Sequence, residues 1–166
     1  MHPAARCTLA IICGLTTSVK AHTLFIAEAA EGSSYNKYIE LYNPTPFAIH
    51  LLGYAMGSVS NAPTTVGSHE SWTSFADGAS IPAGGVYIIC DSRADATILD
   101  KCDEATWQSL SNGDDAYCLS QGNATTHAII DCVGDYQGDP GSGWNLCGVV
   151  CACAARNRSP HAHRHP

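Results

Sequence analysis

Apolar and polar residues alternate through much of the middle of this chain. In residues 37–42, Ile39 and Leu41 fall on one side and Tyr38, Glu40 and Tyr42 on the other, the period-two signature of a half-buried strand. Turn chemistry frames that stretch. Gly32-Ser-Ser-Tyr-Asn36 precedes it, and Asn43-Pro44 ends it because proline lacks the N–H that a ladder needs. The same pattern predicts strands at 23–28, at 47–51 with Phe47, Ile49 and Leu51 on one face, at 54–58 and at 71–75. Residues 86–90, Val-Tyr-Ile-Ile-Cys, form a continuous apolar run suited to a central strand. A short edge at 109–111 and runs at 115–119 and 127–133 follow, with Gln121-Gly-Asn123 as the turn between the last two. Residues 92–100 form the one helical stretch, with Ser92 placed to cap it. Many short strands, frequent turns and a single small helix predict an all-β fold, an antiparallel β-sandwich.

Two longer segments interrupt this pattern, 57–71 and 135–144. Long loops at one end of a sandwich carry recognition, so both are candidate binding surfaces. Trp144, Asp114, Asp115 and Asp139 are the candidate binding residues, with plugging the core as the competing role for Trp144. After Gly148 the alternation stops, and residues 151–166 read as a disordered tail rich in Cys, His and Arg. That places the folded domain at 22–150.

The first 21 residues resemble a secretory signal: Arg6 before an apolar run at 7–15, then Val19-Lys20-Ala21 as a cleavage site. The apolar run is too short to span a bilayer, so the expectation is an exported chain beginning at His22. The formal charge is −7, and losing Arg6 and Lys20 without any acid makes the mature chain more acidic still. Between His22 and Val150 the only cationic side chains are those of Lys37, Arg93 and Lys101, and such a surface repels phosphate backbones. No nucleic-acid partner is expected.

Seven of the nine cysteines lie beyond residue 21, and in an exported protein they are disulfide candidates before they are metal ligands. The expected pairs are Cys90 with Cys102, tying the central strand to the end of the helix, and Cys132 with Cys147, clamping the 135–144 loop. Asn123-Ala-Thr125 is a glycosylation sequon at a hairpin tip.

Three ordered blocks resemble the lamin-tail domain family in its secreted form. They are Leu24-Phe-Ile with Glu31-Gly-Ser-Ser-Tyr-Asn-Lys-Tyr-Ile-Glu-Leu-Tyr-Asn-Pro44; Leu110-Ser-Asn-Gly-Asp-Asp-Ala116; and Ile130-Asp-Cys-Val-Gly134 with Asp139-Pro-Gly-Ser-Gly-Trp144. The resemblance implies an immunoglobulin-like sandwich and a role in interaction or tethering, and it implies no catalytic residues. One departure stands out. The family's closing strand has no counterpart in residues 149–166, which predicts an unpaired sheet edge.

Metal chemistry is the alternative. Asp114, Asp115, Asp131, Asp135 and Asp139 are an oxygen-rich set for Ca²⁺, although their spacing also suits acceptors of turn N–H groups. Glu28, Glu40 and Lys37 read as a cross-strand charge pair. A free His22 amine and imidazole can chelate Cu²⁺ with a second histidine, for which His50, His69 and His127 are the choices. The Cys147, Cys151 and Cys153 run with His161, His163 and His165 is a further soft-metal candidate. No nucleophile elbow and no phosphate-binding glycine loop is present. The sequence therefore predicts a non-catalytic, secreted binding or tethering module with a protein or cell-surface component as partner and no required cofactor, Ca²⁺ being the candidate ion. The alternative is a metal-binding protein, or a copper-dependent redox enzyme built on His22.

Overall fold

A computed structural model describes residues 24–61, 63–108, 110, 114–134, 136–139 and 141, together with the backbone of 144–146 and 149–151. The expected signal segment 1–21, His22, Asp135, Cys147, the side chain of Trp144 and the tail beyond Cys151 lie outside the described residues.

Two four-stranded sheets form the sandwich. The first runs in the order β1 (Phe25–Glu31), β2 (Lys37–Tyr42), β7 (Val86–Asp91), β8 (Glu104–Trp107). The second runs in the order β10 (His127–Val133), β9 (Ala116–Gly122), β4 (Tyr54–Val59), β5 (Ser71–Ser74). Two small ladders complete the described structure: β3 (Ile49–His50) with β6 (Ser80–Ile81), and β11 (Trp144–Leu146) with β12 (Val149–Cys151). All pairings are antiparallel except β7 with β8, which run parallel and are joined across α1 (Ala96–Leu99).

Alternation sets the core. Ile26, Ile39, Leu41 and Ile89 of the first sheet meet Met56, Tyr117, Leu119 and Val133 of the second, and all are buried. Phe75, Tyr87 and Trp107 close one end, with Phe75 edge-on to Tyr87 and the ring centroids 6.0 Å apart. The buried Glu104 carboxylate sits among these rings and accepts hydrogen bonds from Tyr87 Oη (3.1 Å), Trp107 Nε1 (2.8 Å), Thr106 Oγ1 (3.2 Å) and the Ala76 N–H (3.2 Å). Burial, and then the Glu104 charge, push the Tyr87 hydroxyl up to about 12.

Asn43 is the second polar pin, and it is fully buried. Its amide Nδ2 reaches the carbonyls of Phe47 (2.7 Å), Ile81 (3.0 Å) and Pro82 (3.0 Å). Its Oδ1 accepts from the Thr45 N–H (2.9 Å) and hydroxyl (2.7 Å). One side chain thus fastens the end of β2 to the 44–48 loop and to the turn before β7. The Phe47 carbonyl faces this pin while its ring is 75% exposed, so Phe47 does not share a face with the buried Leu51. The expected strand at 47–51 shrinks to β3 for that reason.

The helix is also shorter than expected. Ser92 lies outside it, and its N–H donates to the Trp107 carbonyl (2.8 Å). Asp95 takes the N-cap position but makes no side-chain cap, because its carboxylate accepts from Asn36 Nδ2 (2.7 Å) while its N–H donates to Asn36 Oδ1 (2.8 Å). Ahead of it the buried Asp91 carboxylate binds Arg93 through Nε (2.9 Å) and Nη2 (2.7 Å), which holds Asp91 below the usual carboxylate range. The same guanidinium lies 3.7 Å from the Tyr35 ring centroid.

Cys90 is bonded to Cys102, closing the β7–α1–β8 crossover. Cys132 is bonded to Cys118 rather than to Cys147. These two residues face each other in the β9–β10 register with Cα atoms 4.1 Å apart, so the ladder itself delivers the partner. The backbone from 149 to 151 pairs as β12 instead of beginning a tail, and its partner is β11 rather than an edge of either large sheet.

Peptide mapping without reduction is expected to recover Cys90–Cys102 and Cys118–Cys132 peptides, and removing either bridge should cost about 2–4 kcal/mol in denaturant unfolding. Asn43→Ala should cost about 3 kcal/mol, since buried carbonyls lose their donor. Asn43→Asp should be comparably destabilised in the same assay, because a carboxylate restores the oxygen without restoring the N–H donors.

Candidate functional site

The outward face of the second sheet carries the densest group of chemically distinctive side chains. Because Met56, Leu119 and Val133 point into the core, their neighbours Gly57, Cys118 and Cys132 point outward. Register places Trp72 of β5 beside Gly57 on that same face. His69, at the end of the loop between β4 and β5, folds back over Gly57. A Cβ built on residue 57 would meet the His69 ring at 2.5 Å, so glycine is what lets the imidazole lie against the sheet.

Four rings gather there. His69 and Tyr136 are stacked, with centroids 5.4 Å apart and planes 26° from parallel. His69 and His127 lie 5.1 Å apart, His69 and Trp72 5.8 Å, and Trp72 and His127 4.8 Å. All four residues are half-buried. His69 comes from the first of the two long loops and Tyr136 from the second, so the segments marked as candidate binding surfaces meet at this point. Gly67 is also within van der Waals range of Tyr136: a Cβ there would lie 3.9 Å from the ring. The sequence marked the loops and named His69 and His127 among its histidines. Trp72 and Tyr136 carried no signal, because only the fold brings them to the same face.

The histidines differ in environment. His127 Nδ1 lies 3.2 Å from the Asn123 carbonyl, at the β9–β10 turn. Both ring nitrogens of His69 are buried, and among the described residues neither has a hydrogen-bond partner. Burial first, and then the His127 charge, hold the His69 ring below the usual imidazole value.

The acidic residues are dispersed. Asp115 is buried, and its Oδ1 accepts from the Asn61 N–H (2.8 Å). Asp131 Oδ2 accepts from the Ile26 N–H (2.9 Å), joining β10 to β1 across the edge of the sandwich. Exposed Asp139 accepts from the Gly141 N–H (2.6 Å), and Asp114 is half-buried beside Asp115. Asp115, Asp131 and Asp139 therefore each hold a backbone donor in a different place. Among the described residues no group of three or more His, Cys, Asp or Glu side chains comes together to hold a metal ion. His50 is on β3, away from the ring cluster, and exposed.

A second, shallower feature is a groove of ≈ 250 Å³ on the first sheet, lined among others by Glu28, Tyr38, Glu40, Ile98 and Lys101. Glu28 stands opposite Glu40 in the β1–β2 register, and Tyr38 Oη donates to Glu28 (2.9 Å), which raises the Tyr38 hydroxyl above its usual value. The expected cross-strand charge pair is made instead by Lys37 with Glu31, at 3.8 Å, because those two residues are the ones in register. Among the described residues no helix is long and apolar enough to cross a membrane.

No protein-family model matches the chain. No curated protein matches it either.

The lowered His69 value fixes the sign of a pH effect. Above about pH 6.5 the ring is neutral in both folded and unfolded chains. As the pH falls, the unfolded chain takes up the proton first, so stability drops until the folded-state value is passed. Among the described residues, the rings packed on His69 are His127 from β10, Trp72 from β5 and Tyr136 from the following loop, and of these His127 adds further repulsion. Thermal unfolding midpoints of the native chain are therefore expected to fall more between about pH 7.5 and about pH 5.5 than those of His69→Gln.

Proposed function

We propose that this protein is a non-catalytic, secreted binding or tethering module of the lamin-tail type. Its recognition surface is where the two long loops meet over the outer face of the second sheet. The observation that carries this reading is the stacking of His69 on Tyr136, which joins residues of separate loops into one half-exposed aromatic patch with Trp72 and His127. Aromatic rings on loops held by a rigid sheet combine large contact area with little conformational freedom to lose on binding.

Three further features support the assignment. The two disulfides suit an oxidising compartment outside the cytosol. Two of the lamin-tail-like blocks fall on paired elements: the first spans β1, β2 and the Asn43 pin, and the third includes the end of β10. Asn123 of the sequon is exposed in the β9–β10 turn, with its Oδ1 accepting from Thr125 Oγ1 (2.8 Å), a position open to a glycan in a eukaryotic secretory pathway. The partner is a protein or cell-surface component, and the acidic surface favours one with basic patches over any nucleic acid.

Capture from extracellular and cell-surface extracts on the immobilised full-length chain tests this. A species retained by the native chain and lost with a folded Tyr136→Ser or Trp72→Ser variant is the expected result. Equal retention by all three proteins, or no specific species at all, would sink the proposed surface.

A further inference from the structure

Histidine nitrogens buried without any partner are uncommon, since an unpaired polar group away from water costs free energy comparable to a lost hydrogen bond. Both nitrogens of His69 are in that position. The nearest imidazole is that of His127, 5.1 Å away between ring centroids. The Asn123 carbonyl can only accept, so its contact with His127 Nδ1 puts the proton on that nitrogen and leaves Nε2 with the lone pair. An imidazole anchored through Nδ1–H to a carbonyl is the arrangement usual for a metal-bound histidine.

We infer that His69 and His127 form a two-histidine site for a borderline divalent ion of the Zn²⁺ or Cu²⁺ class. Imidazole suits such ions, and metal–nitrogen bonds of about 2.0–2.1 Å let two rings at this separation share one ion. Carboxylates do not join the pair: among the described residues no third His, Cys, Asp or Glu completes a cluster, which disfavours the hard ions Ca²⁺ and Mg²⁺ at this point. The χ2 torsion of histidine is broad, so a modest ring rotation aims a His69 nitrogen at the space beside His127 without moving the backbone. Trp72 and Tyr136 pack on the two imidazoles and restrict water around them. With two protein ligands, the remaining coordination positions are left for water or for a donor from a bound partner.

The ion would also tie the 60–70 loop to the β9–β10 hairpin, since His69 ends the first and His127 begins the return strand of the second. The inference therefore deepens the two-loop surface and rests on it. It has a readout that needs no partner, so the two readings fail separately.

The test is calorimetric titration of Zn²⁺ into the full-length chain, with tryptophan emission followed in parallel. The proteins compared are the native chain, His127→Gln and His69→Gln. The terminal histidines and the remaining cysteines are common to all three, so the difference in stoichiometry isolates this pair. The expected result is one Zn²⁺ equivalent fewer for each variant, together with a Zn²⁺-dependent emission change, reported by Trp72, that is lost in both. His127→Gln alters a half-exposed hairpin residue, so it serves as the folding-neutral arm if His69→Gln proves unstable. Equal stoichiometry in the native chain and His127→Gln would overturn the site and leave the His69 nitrogens to an ordered water, while the capture experiment would still decide the partner surface.

Discussion

A backbone N–H that loses its ladder partner and is shielded from water must find another acceptor, and in this protein carboxylates supply it. The β1 ladder is irregular between Ile26 and Glu28, and the β10 ladder between Ile129 and Asp131. Where those two edge strands approach, Asp131 takes the Ile26 N–H and so joins one sheet to the other. Elsewhere Asp115 holds Asn61 and Glu104 holds Ala76, and at exposed positions Asp103 holds Ile88 and Glu70 holds Ser60 in the same way. Many of the chain's acids are fasteners for loops and irregular edges, which is why acids close in sequence are not close in space.

That dispersal decides what the molecule can present to a ligand. A hard cation needs six to eight oxygens on one centre, and Asp115, Asp131 and Asp139 each hold a separate backbone N–H. On the outer face of the second sheet small residues replace large ones. Ala55, Gly57, Ala116 and Cys118 point outward there and are buried, so the face is covered rather than solvated. Gly57 is the position on which this depends, because any larger residue would collide with the His69 ring. Burial of an imidazole on a sheet, with its nitrogens turned away from water, follows directly from that one missing side chain.

The fold was legible wherever alternation and turn chemistry agree. Strands β2, β4, β5 and β10 fall within a residue or so of their expected places, and Val86–Asp91 is a central strand because its neighbours on both sides are strands. The reading failed where a long-range contact overrides a local pattern. Phe47 alternates correctly with Ile49 and Leu51, yet the Asn43 amide captures its carbonyl and the ring turns outward. Ser92 is a good helix cap in isolation, but the backbone there is held by Trp107. Glu104–Trp107 gave no strand signal because a four-residue segment with a buried acid and a buried tryptophan lacks a recognisable alternation. The ring cluster was half legible: two histidines and two loops were marked, whereas their meeting depends on register between β4, β5 and β10.

The disulfides show the same division in its sharpest form. Cys132 has plausible partners on either side in sequence, at 118 and at 147, and spacing alone does not separate them. Strand register does, because Cys118 and Cys132 are directly opposed across the β9–β10 ladder. A bridge between adjacent strands adds little new connectivity to the sheet. Its effect is to hold the hairpin that carries Asn123 and His127 in fixed register with β4, and hence with Gly57 and the ring resting on it. The covalent constraint lies beneath the His69–His127 pair, on the strands that position it. A loop-clamping bridge to Cys147 would have stiffened the 135–144 segment instead. With the bridge placed under the sheet face, the two loops above it are positioned by ring packing.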